Sequence, residues 1–175
     1  MINIQIFGGP GTGKSTTCAG LFYMMKQTNY IVEYITEYAK ELTYSDDYSK
    51  LNDQLFILAE QHHRLKRLEN KVEYVIHDSP FIMGLSYLKE DEHLPKLIFD
   101  ELITTMYKSY NNINIFLKRD DNLLFQNYGR SQTLSESLKK DKEIMQLLDD
   151  RNIPYMIVDV NNAVEDILQI IENHK

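Results

Sequence analysis

The stretch Gly8-Gly9-Pro10-Gly11-Thr12-Gly13-Lys14-Ser15 fits the pattern G-x-x-x-x-G-K-[ST] at every position. Glycines at 8, 11 and 13 let the backbone adopt conformations closed to other residues and approach an anion closely. Successive N–H groups then line a concave nest at a helix N-terminus, where the dipole favours negative charge. In such a nest the backbone of Gly9, Gly11, Thr12 and Gly13 surrounds a phosphate chain. Lys14 reaches its β and γ phosphates, Ser15 offers a hydroxyl to Mg²⁺, and Thr16 adds a hydroxyl near the α-phosphate. The chemistry implied is binding of a nucleoside triphosphate and work on its terminal phosphorus.

Other residues qualify as partners in that chemistry. Asp78 ends an apolar run, where a carboxylate reaches Mg²⁺ directly or through water. Its structural alternative is an N-cap for a helix opened by Pro80. Glu37 follows a second apolar run and is a candidate to take a proton from an attacking hydroxyl. Its alternative is a dipole-favoured acid in a helix's first turn. Arg119 and Arg130 flank a polar segment and are candidates to stabilise charge on a transferring phosphoryl group, with Lys118, Lys139 and Lys140 nearby. Glu41 reads as solvated. Arg64, Lys66 and Arg67 read as a basic helix face. Tyr38, Tyr44 and Tyr48 offer rings for packing or base stacking. The histidines and the lone Cys18 lack metal-ligand spacing, so zinc is not expected, and Cys18 reads as a buried thiol.

These residues need a scaffold. Apolar runs at 2–7, 30–35, 72–77, 113–117 and 154–160 read as strands. Helical spacing is expected over 15–26, 37–42 (with Thr36 as N-cap), 51–69, 81–87, 95–110, 134–151 and 163–172. In the long helix, Leu51, Leu55, Leu58 and Leu65 form one stripe, with His62 packed on it. Strands alternating with helices predict an α/β domain with a mainly parallel sheet covered on both faces. Ligands then sit beyond the carboxyl ends of the strands. That rule puts the loop, Glu37, Asp78, Arg119 and Asn161 on one rim.

With 175 residues, one domain over 1–175 is expected. The net charge of −7 disfavours non-specific binding to nucleic acid, unless the basic groups of 62–71 and 118–140 form one groove. No apolar run approaches a membrane span and no signal peptide is read, so a soluble cytoplasmic protein is expected, with no membrane partner.

The loop Gly8–Ser15, the stretch Thr36-Glu37-Tyr38-Ala39-Lys40, Asp78-Ser79-Pro80 and the Arg119/Arg130 segment together resemble the P-loop kinases. The resemblance is closest to a small AAA-like ATPase/kinase group that includes nicotinamide-riboside kinase domains and bacteriophage nucleotide or DNA-base kinases. It implies a three-layer P-loop NTPase sandwich with a five-stranded sheet in order 2-3-1-4-5 and a lid over about 119–137. It also implies adenine contacts near Asn161-Asn162 and a role for Glu37 on the acceptor hydroxyl. Deoxynucleoside kinases carry Asp/Glu-Arg-Ser after the third strand, and this chain departs from that with Asp78-Ser79-Pro80.

The resulting expectation is an ATP- and Mg²⁺-dependent kinase. Its catalytic set is Lys14, Glu37, Asp78, Arg119 and Arg130, with Ser15 and Asp78 toward the metal. The acceptor is expected to be a nucleoside, a nucleotide or a hydroxymethylated pyrimidine of DNA. An ATPase switch that regulates a partner protein is the rival from another class, and a homodimer is left open as an assembly state.

Overall fold

The computed structural model describes residues 1–88, 94–120 and 133–174. Five strands form one sheet: β1 (Ile2–Phe7), β2 (Val32–Ile35), β3 (Tyr74–Asp78), β4 (Asn111–Lys118) and β5 (Met156–Asp159). Their order is β2-β3-β1-β4-β5, and every neighbouring pair is parallel. The expected P-loop fold and strand order are therefore present. Each crossover is helical, because parallel neighbours need a long connection that also covers a sheet face.

The helices are α1 (Lys14–Gln27), α2 (Tyr38–Tyr44), α3 (Tyr48–Asn52), α4 (Gln54–Lys66), α5 (Lys96–Lys108), α6 (Leu134–Asp150) and α7 (Ala163–Glu172), with 3-10 turns at Phe81–Ser86 and Val160–Asn162. Side-chain alternation along the strands sorts them into layers. Ile4, Ile6, Ile76, Ile113 and Ile115 pack with Cys18, Leu21 and Met25 of α1 and Ile167 and Ile171 of α7. On the other face, Phe7, Val75 and Phe116 meet α4, α5 and α6 through Leu65, Phe99, Ile103, Tyr107, Ile144 and Leu148. That second layer also holds polar groups. The Tyr107 hydroxyl donates to Asn114 Oδ1 at 2.5 Å, and Gln5 Nε2 donates to Asn112 Oδ1 at 3.0 Å.

Several local expectations change. Residues 43–50 hold the end of α2 and the start of α3, and α4 runs from Gln54 rather than forming one helix over 51–69. Leu55 is 48 % exposed while Ile57 is buried, so the buried stripe of α4 is Ile57, Leu58 and Leu65. The break at Asp53, whose carboxylate caps Phe56 N–H, resets the helical phase. Thr36 is not a cap: its hydroxyl donates to Glu41, and Glu37 occupies the N-cap position of α2 without a capping bond. His62 packs against Tyr110, as expected, with Nε2 3.1 Å from the hydroxyl. No helix of the described residues is long and apolar enough to cross a membrane.

Leu21 of α1 lies fully buried in the layer between this helix and the sheet. Leu21→Ala should lower the unfolding free energy by about 2–5 kcal/mol in urea titrations. A loss below about 0.5 kcal/mol, the range of ordinary surface changes, would contradict this packing.

Candidate active site

The loop between β1 and α1 turns on Gly11 and Gly13, held at φ 78° and 96°, in the left-handed region that disfavours other side chains. At Gly13 an added Cβ would also stand 2.8 Å from Val160 Cγ2, so the 3-10 turn carrying exposed Asn161 sits directly on the loop. Lys14 is 8 % exposed, and its ammonium donates to the Gly9 carbonyl at 3.2 Å. Thr12 Oγ1 donates to the same carbonyl at 2.8 Å. Thr16 lies exposed on the first turn of α1.

Asp78 closes β3 beside Ile6 of β1, which brings it to the start of α1. Ser15 Oγ donates to Asp78 Oδ2 at 2.5 Å, and the Tyr34 hydroxyl donates to the same oxygen at 3.3 Å. Burial, reinforced by the Asp78 charge, pushes the Tyr34 phenol well above its ordinary range. Asp78 is 3 % exposed, and its Oδ1 has no hydrogen-bond partner among the described residues. It does not cap the following turn, Phe81–Ser86, whose N-cap position is held by Pro80. Ser79 bends the chain there at φ 66°, a strained value for a residue with a side chain.

Glu37 leaves β2 next to this pair. Burial raises its carboxyl above the ordinary 4.5, and the Asp78 charge adds to the rise. Lys14 and Lys40 pull the other way without cancelling it. Tyr87, after the Phe81–Ser86 turn, feels the charges of Glu37, Glu143 and Asp141, and burial first among these causes holds its phenol high. Lys140 Nζ lies 4.5 Å from the Tyr87 ring centroid and donates to Ser86 O at 2.9 Å.

Arg119, one residue past β4, reaches back to the loop. Its Nε donates to Asp141 Oδ2 at 2.5 Å and its Nη2 to the Pro10 carbonyl at 2.8 Å. Asp141, on α6, also accepts from the Gly9 N–H at 2.5 Å. The Gly9 amide therefore faces α6. The structure thus gathers Lys14, Ser15, Glu37, Asp78, Arg119 and Asn161 at one end of the sheet. Arg130, most of the expected lid over 119–137, and the acidic residues 90–92 with His93 lie outside the described residues.

Four further basic candidates are paired with carboxylates. Arg64 binds Glu41 through both terminal nitrogens, at 2.6 and 2.8 Å, and Glu60 through Nε. Glu41 is thereby paired rather than simply solvated, and its pKa is lowered chiefly by that hydrogen bonding. Lys66 pairs with Glu69, and Lys139 and Lys140 with Glu143. Tyr38 lies under the Arg64 guanidinium and against Phe56, whereas Tyr44 and Tyr48 are exposed. Tyr34, Tyr87 and Asp141 were not singled out by sequence. Asp141 hides in Lys139-Lys140-Asp141-Lys142-Glu143, which reads as a solvated face. The available signal was its period: Ser137, Asp141, Ile144 and Leu148 are all buried on α6.

A family model described as an AAA domain matches residues 3–166. No curated protein matches the sequence. Among solved structures, the chain is similar to deoxyadenosine kinase from M. mycoides with bound dATP: 20 % identity, TM-score 0.58, covering 98 % of each chain. The same kinase with bound dCTP gives 20 % identity and TM-score 0.58, covering 98 % of this chain and 99 % of that one. With products dCMP and dCDP bound, it gives 19 % identity at the same TM-score of 0.58 and the same shares, 98 % and 99 %.

A Cβ at Gly9 would lie 2.7 Å from Ser137 O, 2.8 Å from Asp141 Oδ1 and 3.0 Å from Arg119 Nη2. Gly9→Ala should therefore push α6 off the loop, costing about 1–3 kcal/mol by analogy with overpacking. A melting curve checks this; an unchanged melting temperature would mean that α6 does not press on the loop.

Proposed function

Because the chain belongs to the AAA-domain family, we propose that it is an ATP-dependent kinase that transfers the γ-phosphoryl group to a hydroxyl of a nucleoside-like small molecule. The observation that carries this reading is Glu37. A carboxylate two residues past β2, whose pKa burial raises and which feels the charge of the phosphate-loop lysine, is suited to taking a proton from an alcohol. A carboxylate can equally orient water for hydrolysis, so the choice of transfer over hydrolysis rests on the likeness to deoxyadenosine kinases. The likeness to deoxyadenosine kinases supports a nucleoside as the acceptor class. The pairing of Arg64, Lys66, Arg119, Lys139 and Lys140 with carboxylates, on a chain of net charge −7, favours a small acceptor over a DNA strand.

In this reading residues 1–175 form one kinase domain. The loop amides and Lys14 bind the triphosphate, and Asn161, on the turn against Gly13, borders the adenine. The described residues contain no cluster of three or more His, Cys, Asp or Glu side chains suited to a metal. A cation that arrives on ATP needs few protein donors, since Mg²⁺ keeps phosphate and water ligands. The Ser15 hydroxyl and the unpartnered, buried Asp78 Oδ1 fit that role. Mg²⁺ bound there would supply positive charge at the phosphate oxygens. Glu37 accepts the acceptor's hydroxyl proton as the new O–P bond forms and the bond to the bridging β–γ oxygen breaks, leaving ADP. Arg119 stabilises the charge spread over the moving phosphoryl group, and Arg130 is assigned the same task.

Incubation with γ-labelled ATP and a panel of nucleosides, nucleotides and hydroxymethylpyrimidine DNA tests the assignment. Label on a free nucleoside is expected; label in inorganic phosphate alone would favour the ATPase switch, and label on DNA alone would overturn the small-acceptor reading. Glu37→Gln should lower acceptor turnover by about 10²–10⁴-fold while MgATP still binds. Wild-type activity should fall on its acid side at a pH above the ordinary carboxylate value of 4.5. Stability moves oppositely. A carboxyl whose pKa is raised by folding binds more protons folded than unfolded, so its contribution falls as pH rises from 4.5 through the raised value. Glu37→Gln should therefore melt higher than wild type at neutral pH, with the gain vanishing at acid pH. A lower melting temperature at neutral pH would contradict the burial of its charge.

A further inference from the structure

We propose that Asp141 is the positioning residue that holds Arg119 against the phosphate loop, an inference that rests on the kinase reading and deepens it. The two carboxylate oxygens are divided between two tasks. Oδ1 takes the Gly9 N–H at 2.5 Å and, at a longer 3.4 Å, Arg119 Nη2, and Oδ2 takes Arg119 Nε at 2.5 Å. The guanidinium is fixed a second time by the Pro10 carbonyl at 2.8 Å. Both side chains are nearly closed to water, at 12 % and 11 % exposure. Exposed arginines sample many rotamers, and an ion pair with this little water has one arrangement. Removing one member of such a pair leaves the other buried and uncompensated.

The platform is rigid on both sides. Helix α6 begins with a reciprocal capping box between Thr133 and Glu136, and its Ser137 carbonyl would lie 2.7 Å from a Cβ at Gly9. The glycine at this variable position of the loop pattern thus admits α6, and α6 delivers Asp141. Its neighbour Lys140 is engaged elsewhere, by Ser86 O and Glu143. Both Asp141 oxygens are taken by the Gly9 N–H and Arg119, so it acts through Arg119 rather than on the reacting atoms.

A double-mutant cycle over Arg119→Ala and Asp141→Asn tests this. The asparagine oxygen can still accept the Gly9 N–H, while its amide NH₂ confronts Arg119 Nε donor to donor, so the short Nε link and the charge are lost and only the 3.4 Å contact from Nη2 can remain. Each single variant should lower kcat for acceptor phosphorylation by about 100-fold, the scale of a misplaced group, with KM for the acceptor unchanged. The double variant should be no slower than Arg119→Ala. Asp141→Glu, which keeps the charge, should recover part of the loss. Wild-type kcat in Asp141→Asn, or losses that multiply in the double variant, would overturn the proposal. If Asp141→Asn melts out, Asp141→Ser takes its place in the same cycle. If the wild type phosphorylates no acceptor, the kinase reading fails instead. The cycle is then read on MgATP affinity by calorimetry, where non-additive losses uphold the Arg119–Asp141 linkage and additive ones reject it.

Discussion

Lys14 carries a charge taken almost entirely out of water: 8 % of the residue is exposed, at the mouth of a loop lined by backbone amides. An ammonium so placed, beside N–H groups at a helix start, makes a region of positive potential that only negative groups relieve. Much of the surrounding architecture can be read as a response to that demand. Asp78 and Glu37 come to it from the ends of the third and second strands, and the Gly9 carbonyl accepts directly from its ammonium. A triphosphate meets the same demand more fully.

The carboxylates then create a demand of their own. Asp78 is buried with one oxygen held by Ser15 and Tyr34 and the other without a partner, while the nearby charge of Asp78 and burial together raise Glu37. Like charges this close with little solvent are unfavourable for folding, and such groups concentrate where chemistry is done. The strained turn at Ser79 belongs to the same pattern. On the far side of the loop the polarity is reversed: Arg119 is matched by Asp141, and the pair is tied to Gly9 and Pro10. The loop is thus gripped from both sides, by an acidic edge toward β3 and an ion pair toward α6.

The parts of this arrangement that are local in sequence were legible before any coordinates. Gly8 to Ser15 declares both the loop and its use, and the alternation of apolar strands with helices declares a parallel sheet, whose geometry brings Glu37, Asp78 and Arg119 to one rim. What depended on phase or on distant partners was not. Asp53 restarts a helix that apolar spacing ran together, which turns Leu55 outward and Ile57 inward. Glu41 is solvent-facing as read, but its partner Arg64, on another helix, has no signature in the sequence. β4 starts earlier, at Asn111, because Asn111 and Asn112 pair with Ile2 and Asn3 of β1 and Asn112 finds a polar partner in Gln5, which a hydrophobic pattern cannot register. Asp141 is masked by the lysines around it, since charge runs carry no record of which member turns inward.

The account stands on the claim that the buried ammonium and its amide cradle exist to hold a nucleoside triphosphate. Calorimetric titration of the whole chain with MgATP tests it most directly. The account predicts a saturable one-site isotherm, accompanied by a rise in melting temperature at saturating nucleotide. No heat and no thermal shift with saturating magnesium and ATP would contradict it.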